Sequence, residues 1–482
     1  MTFGAAAREY HMLTVHPRPR THDRRLVTSY RPMDPTRKPP QGKAYPGLEL
    51  MALPRQLGTA EEGRPLDLQL LGRLLFLSAG VVRVLDTPAF GEMWFRAAGS
   101  AGNLAPLEVY VLSGELPGLR AGLYHYQPRE HGLVRLRPLP AETQPGLVVT
   151  GIPWRTAWKY GERGYRHLWW DAGTMLAQTL ALAEEAGLPA RVELGFVDDD
   201  VARLVGAVAP HELPLAVVAL GKGPALPEAS DGDVPRGHIA DEPLEFPLIT
   251  DTHRAAVLAS EADVRRWRWA AVRFEGAQET PRSSFSVGAL EKVIRRRGST
   301  RRFDPSHEAP PELLSDALAW ATRAVPADFT APERTLLEHH VAVHGVHGMH
   351  AGTYRFGSDG FHLQQAGEFR SVVAHLCLDQ VLGGSGAYTA FHCADLDPIT
   401  AVLGDRGYRA AQLEGGIVEG RLHLAAYAMG FGATGITFYD DEVRQFLRTV
   451  ATPMLVTCVG AADYRARPGG TPGEPVRMSP AY

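Results

Sequence analysis

The chain has 482 residues, 45% hydrophobic and 22% charged, long enough for two or three domains that each bury a core. A formal charge of -4 leaves no global basic field, so nucleic acid is not an expected partner and local arginine clusters need local explanations. Three cysteines, Cys377, Cys393 and Cys458, without metal-ligand spacing, and no apolar run of signal-peptide or membrane-span length, imply a soluble, cytoplasmic protein with no metal, no disulfide framework and no membrane contact.

Residues 1–50, rich in Pro and Arg, read as a loosely structured extension. A first domain is expected over 51–223. In it, Gly99-Ser100-Ala101-Gly102-Asn103, bounded by Pro106, is a run of small and hydrogen-bonding residues that lets backbone approach a flat ring edge; as an ordinary turn it needs no function. Leu107 to Leu112 reads as a strand. Trp158-Lys159-Tyr160 stands out because the chain has only five lysines: Lys38, Lys43, Lys159, Lys222 and Lys292. A desolvated lysine, or one crowded by cations such as Arg155 or Arg163, can lose its proton and serve as a base, which arginine cannot; the bland alternative is a lysine snorkelling over Trp154 and Trp158.

From Gly164 to Ala186 the apolar spacing of three and four predicts a helix, apolar on most sides and so central, with Gly187 as left-handed C-cap. A strand at Arg191 to Phe196, an acidic turn at Asp198-Asp199-Asp200, a short helix and a second strand at Leu215 to Leu220 complete the domain. Residues 224–284, with a helix-like piece at 255–268, read as an ordered connector because Trp267 and Trp269 are too apolar for a free linker.

The second domain, 285–470, repeats this plan before a tail at 471–482. Gly164 to Leu188 aligns without gaps with Gly407 to Phe431, Asp198-Asp199-Asp200-Val201 pairs with Asp440-Asp441-Glu442-Val443, and Leu119 to Tyr126 matches Met349 to Phe356. The expected strands here are His340 to Val343, Thr434 to Tyr439 and Met454 to Val459. Both halves are therefore α+β. Gly430-Phe431-Gly432-Ala433-Thr434-Gly435 satisfies the dinucleotide-binding pattern literally. It ends a helix and enters a strand, the reverse of what pyrophosphate binding needs, and reads as a capping turn.

Val287, Leu290, Val293 and Ile294 form a helical stripe, with Gly298 a candidate C-cap, after which Arg297, Ser299 and Arg301 could converge on a phosphate monoester. The alternative is a solvated helix end whose cations favour the dipole. Arg465 and Arg467, beyond the last strand, could close on the same anion.

Together these residues resemble SagB/ThcOx-type dehydrogenases (McbC-like oxidoreductases) of the FMN-dependent nitroreductase superfamily, in the tandem form with two fused domains. The resemblance runs from about Leu71 to Gly460 and rests on Arg96 with Gly99 to Glu108, Gly122 to Tyr126, Trp158 to Arg166 with Asp171-Ala172-Gly173, Arg297 to Phe303, and Gly407 to Gly435. It implies two nitroreductase-like domains, each a mixed, mainly antiparallel sheet flanked by helices, forming an intramolecular pseudo-dimer that acts as monomer or homodimer. The two halves would enclose one FMN. Arg297, Ser299 and Arg301, with Arg465 and Arg467, would grip its phosphate. Ser100, Ala101 and Asn103 would reach the ring from the other half, and Gly435, Ile436 and Thr437 would touch the isoalloxazine edge. Lys159 and Tyr160 correspond to the Lys-Tyr pair of azoline-oxidising members. Gly99 departs from the usual proline, and Gly298 from a polar or basic residue.

The implied reaction is a two-electron oxidation in which Lys159, with Tyr160 as hydrogen-bonding partner, removes a proton while hydride passes to flavin N5. The implied substrate is a thiazoline or oxazoline in a ribosomal peptide, converted to the azole. With no leader-binding domain evident, peptide recognition is expected to depend on a partner such as a cyclodehydratase. Two alternatives stay open: an NAD(P)H-dependent nitro or quinone reductase, and a non-catalytic flavin-binding scaffold in a biosynthetic complex.

Overall fold

The computed structural model describes residues 3–16, 33–59, 63, 65–223, 226–227 and 233–479. The chain divides into two compact units. One comprises Tyr30–Trp269, Pro326–Phe329 and Gly469–Tyr482, and the other Met1–Ser29, Ala270–Val325 and Thr330–Pro468.

The first of these is built on a seven-stranded sheet. Its strands run in the order Leu50–Ala52, Gly132–Arg137, Gly122–Gln127, Leu107–Ser113, Gly146–Gly151, Leu213–Leu220, Ala190–Glu193, and every neighbour is antiparallel. The other unit has a six-stranded antiparallel sheet in the order Gly360–Ala366, Gly352–Gly357, Glu338–Val343, Tyr388–Ala394, Thr452–Gly460, Gly432–Ile436. Apart from the added Leu50–Ala52, the six positions follow one connectivity. The repeated segment ahead of Gly122 and Gly352 even keeps the same bond, from Tyr124 Oη to the Arg120 carbonyl at 2.6 Å and from Tyr354 Oη to the His350 carbonyl at 2.8 Å. Among the described residues the parallel pairing of two full strands, Val476–Met478 with Val81–Thr87, lies outside these sheets.

Against each sheet lies one long helix. Gly164–Glu185 is buried along almost its whole length, with Leu168, Trp169 and Leu176 fully covered, and Gly187 takes the left-handed φ of 63° expected of its cap. A fully buried leucine contributes about 1.5–3 kcal/mol, which is why a helix apolar on all sides sits at the centre.

The second copy departs from expectation at its start. The helix runs Leu396–Ala428, eleven residues earlier than the repeat implied, and passes through a non-helical Gly404 (φ 63°, ψ -162°). Asp395 caps it by accepting from the Asp397 amide. The acidic segments are not turns but the first turns of the helices Asp198–Val205 and Asp440–Leu447, where carboxylates favour the dipole. The strands preceding them are shorter or shifted, Ala190–Glu193 and Gly432–Ile436.

Part of the N-terminal segment is helical. Ala5–Leu13 packs on the Leu396–Ala428 helix through Ala7 N to Asp405 Oδ1 (2.6 Å), Arg8 to Thr400 Oγ1 (2.7 Å) and His11 to Tyr408 and Thr452. Residues 17–32 of the expected extension, and 480–482 of the tail, lie outside the described residues. The connector holds two helices, Pro247–Ala255 and Glu261–Val272; Trp267 is buried, as its apolarity suggested, but Trp269 is 62% exposed.

Candidate functional site

In the unit carrying Gly99 to Pro106, the loop is shaped by three left-handed residues: Gly102 (φ 60°), Asn103 (φ 58°) and Ala105 (φ 44°). Two of them are not glycine, a conformation that persists only where neighbours enforce it. Ser100 Oγ donates to Asp171 Oδ2 (2.6 Å) and accepts from the Ala105 amide (2.9 Å), and the Ala101 amide donates to Asp171 Oδ1 (2.9 Å). Asn103 Nδ2 donates to the Trp94 carbonyl (3.0 Å). The polar side chains expected to face a ring are thus spent on building the loop, and the surface it offers is largely backbone.

Lys159 and Tyr160 end the helix Pro153–Tyr160 and meet this loop. A Cβ on Gly102 would lie 2.8 Å from Tyr160 Oη and 3.2 Å from Lys159 Nζ, so only glycine allows the approach. Lys159 Nζ sits 5.3 Å from the Tyr160 ring centroid, and that ring stacks on buried His167 at 3.9 Å. The environment proposed for Lys159 needs correction. The lysine is exposed rather than desolvated. Arg155 is fully buried, pairs with Glu108 at 2.7 Å, and donates to the carbonyls of Pro40 (2.7 Å) and Ala105 (3.2 Å). Burial pushes the Glu108 carboxyl up, but Arg155, His125 and Arg96 outweigh it and hold the group below the usual carboxylate range. Beside the loop is a cavity of about 30 Å³, bordered by Ser78, Arg96 and Met175.

The other unit gathers the arginine segment. The helix Leu290–Arg296 stops at Arg297, whose backbone is extended; Gly298 has no left-handed cap conformation, and Val287 lies before the helix. The chain then runs beside two other segments. Ser299 bridges Ala433, Thr300 N donates to Ala433 O (2.9 Å), Arg301 N donates to Tyr464 Oη (3.1 Å), and Phe303 bridges Ala462. Arg297, Ser299 and Arg301 are thereby brought next to the Gly432–Ile436 strand and to the residues just before Arg465. Arg301, Arg465 and Arg467 are exposed, whereas Arg297 is buried, with Nη1 3.4 Å from His423 Nδ1.

At the end of that strand a Cβ on Gly435 would fall 2.0 Å from Glu419 Oε1, so glycine there makes room for the Glu419 carboxylate. Ile436 is buried, and Thr437 Oγ1 is buried without a hydrogen-bond partner among the described residues. Burial lowers the pKa of His423 against the opposing pull of Glu419, 3.4 Å from its Nε2. Guanidiniums, a hydroxyl and an unsatisfied threonine form a donor set suited to a phosphorylated, acceptor-rich molecule. Among the described residues no group of three or more His, Cys, Asp or Glu could hold a metal, and no helix is long and apolar enough to cross a membrane.

No family model matches the chain. A protein of Methanocaldococcus jannaschii named "putative nitroreductase" is 26% identical over 173 residues, 33% of this chain and 82% of that protein. A trifolitoxin-processing protein of Rhizobium leguminosarum bv. trifolii is 29% identical over 143 residues, 26% of this chain and 38% of that protein. A crystal structure of a "putative nitroreductase" from Anabaena variabilis superposes with a TM-score of 0.77 at 25% identity, covering 96% of this chain and 100% of that one. The chain has the nitroreductase fold.

The nitroreductase fold extends over both units, and the coarse α+β architecture read from the sequence holds. Reasoning from sequence missed the residues behind the site. Asp171, His167 and Glu419 lie within helices, and Asp171 was seen only as part of a matching string. One signal was available: polar side chains recurring inside a helix apolar on every other face need partners.

Proposed function

We propose that this protein is an FMN-dependent oxidoreductase that oxidises a heteroatom-bearing carbon, with thiazoline or oxazoline rings of a ribosomal peptide as the substrate class. The observation that carries this reading is the contact of Gly102 with Lys159 and Tyr160, which places the loop expected at the flavin ring against the only lysine-tyrosine pair of this kind in the chain. In the reading, Arg297, Ser299, Arg301, Arg465 and Arg467 hold the FMN phosphate and ribityl chain, and Gly435, Ile436 and Thr437 meet the ring edge. Ser100, Ala101 and Asn103 act through the loop they build rather than through free side-chain donors.

FMN, when bound, supplies the two-electron acceptor. Lys159, its exposed amine desolvated once the bound substrate covers it, takes the proton from the substrate carbon, and Tyr160 Oη hydrogen-bonds the ring heteroatom. The resemblance to the trifolitoxin-processing protein supports a substrate that is processed in toxin maturation, and a biosynthetic partner such as a cyclodehydratase belongs to the same proposal.

The test is turnover of a synthetic thiazoline peptide by FMN-loaded wild type and Lys159→Ala. A loss of about 100-fold or more in kcat is expected, within the usual range for a general base; equal rates remove Lys159 from the chemistry. The word nitroreductase in the names of the Methanocaldococcus jannaschii and Anabaena variabilis proteins favours a second reading, reduction of nitro compounds, which we extend to quinones with NAD(P)H as the hydride donor. Rapid anaerobic bleaching of the flavin by NADPH, indifferent to Lys159→Ala, would select it.

A further inference from the structure

We propose that one face of the Gly164–Glu185 helix, formed by His167, Asp171, Thr174 and Gln178, is a positioning device that holds the Gly102 loop against Lys159 and Tyr160. The inference rests on the reading that this pair does the chemistry. The four residues stand at i, i+4, i+7 and i+11 and therefore share a face, and all are buried. Buried polar side chains are costly unless paired. Three find partners, in register, along a single backbone segment. Gln178 Nε2 donates to the Ala97 carbonyl (3.3 Å), Thr174 Oγ1 donates to the Gly99 carbonyl (2.8 Å), and the Asp171 carboxylate accepts from the Ser100 hydroxyl (2.6 Å) and the Ala101 amide (2.9 Å).

The next residue is Gly102 itself. Here the backbone enters its left-handed stretch, which costs free energy at Asn103 and Ala105 and so needs an external hold. His167 supplies the other side, lying nearly parallel to the Tyr160 ring (interplanar angle 25°) and edge-on to Trp170 at 4.5 Å. One helix face thus fixes both partners of the Gly102 contact.

The duplicated half is an internal control. Its helix keeps an acid at the matching position, Glu414, which accepts from the Leu336 amide at 2.9 Å. Arg421, in the place of Gln178, donates to the carbonyls of Ala321, Arg323 and Ala324. Holding the segment ahead of the sheet is therefore common to both copies. The rest of the stripe is not: Ala410 replaces His167 and Ile417 replaces Thr174, while Val402 and Leu403 stand where the other half has Lys159 and Tyr160. The full stripe accompanies the lysine-tyrosine pair.

With only five lysines, the chain suits ¹³C-dimethyl-lysine NMR, recorded on the full-length protein before and after addition of FMN with the Lys159 signal assigned by Lys159→Arg. Asp171→Ala and His167→Ala are each expected to move the Lys159 signal and shift its titration midpoint by about half a pH unit or more, leaving Lys222 and Lys292 in place. Asp171→Asn, which keeps an acceptor for the Ala101 amide, is expected to move it less. An unchanged Lys159 midpoint in a natively folded Asp171→Ala protein overturns the proposal. Should that variant not fold, Ser100→Ala removes one of the two bonds to Asp171, and an unchanged Lys159 there overturns it equally. A wild-type chain that takes up no FMN would defeat the functional reading alone, since the Lys159 signal is read without turnover.

Discussion

Replacing Glu414 by Gln should change how stability depends on pH. The carboxyl lies fully buried in the Leu396–Ala428 helix, accepting from the Leu336 amide, and burial raises its pKa to about 7 against the opposing bonds from Thr335 and Leu336 and the charge of Arg421. In the unfolded chain it titrates near 4.5. The folded state therefore holds a proton that the unfolded state has released. The stability this confers is complete below about pH 4.5 and is lost as pH rises through 7. A difference of roughly 2.5 units corresponds to about 3 kcal/mol, most of it lost between pH 5 and 7. Glutamine reproduces the protonated form, with one acceptor for the Leu336 amide and a donor in place of the hydroxyl. Urea midpoints of wild type and Glu414→Gln, compared at each pH from 4 to 8, cancel every other titrating group. The variant is expected to gain on wild type steadily toward pH 8. Parallel curves would refute the reasoning, because they would mean that folding leaves the pKa of the carboxyl unchanged.

Arg301→Ala, at an exposed position, should leave the fold intact and weaken FMN binding by about 10- to 100-fold, the worth of a charge-assisted hydrogen bond, as read by flavin fluorescence titration; unchanged affinity would remove Arg301 from the phosphate site. Lys43 is buried and donates to Glu212 (2.6 Å) and Tyr110 (2.7 Å), so Lys43→Met strands a buried carboxylate and should cost about 3–5 kcal/mol in chemical denaturation. Gly432→Ala would set a Cβ 2.2 Å from Thr300 Oγ1 and should lower stability by about 1–3 kcal/mol while loosening the Arg301 segment, detectable as a rise in the FMN dissociation rate. Burial drives the His392 pKa down to about 3 next to His339, whose Nδ1 is 3.0 Å away. Neutral imidazole is thus favoured in the fold, and stability present above pH 6.5 should fall as pH drops toward 3; His392→Leu should flatten that acid limb in a pH series of melting temperatures.

Periodicity and repetition made the architecture legible before any coordinates. The gapless match of Gly164 to Leu188 with Gly407 to Phe431 announced a duplication that the strand orders of the two sheets reproduce, and Gly187 and Gly430 were readable as left-handed caps because that backbone excludes most side chains. The extra eleven residues of the Leu396–Ala428 helix were not legible, since Gly404 interrupts the local pattern and the continuation across it depends on packing, including the N-terminal helix at Thr400 and Asp405.

The inventory of candidate groups was likewise a matter of sequence, because rare lysines, clustered arginines and small-residue loops are local facts. Their use was decided by distance. Ser100 and Asn103 looked like free donors until their partners Asp171 and Trp94, from other segments of the chain, took them up, and Arg155 proved to be paired with buried Glu108. Hydrogen bonds and ion pairs act over about 3 Å, while the residues joined here lie nine to seventy-one positions apart, so only the folded chain could assign them.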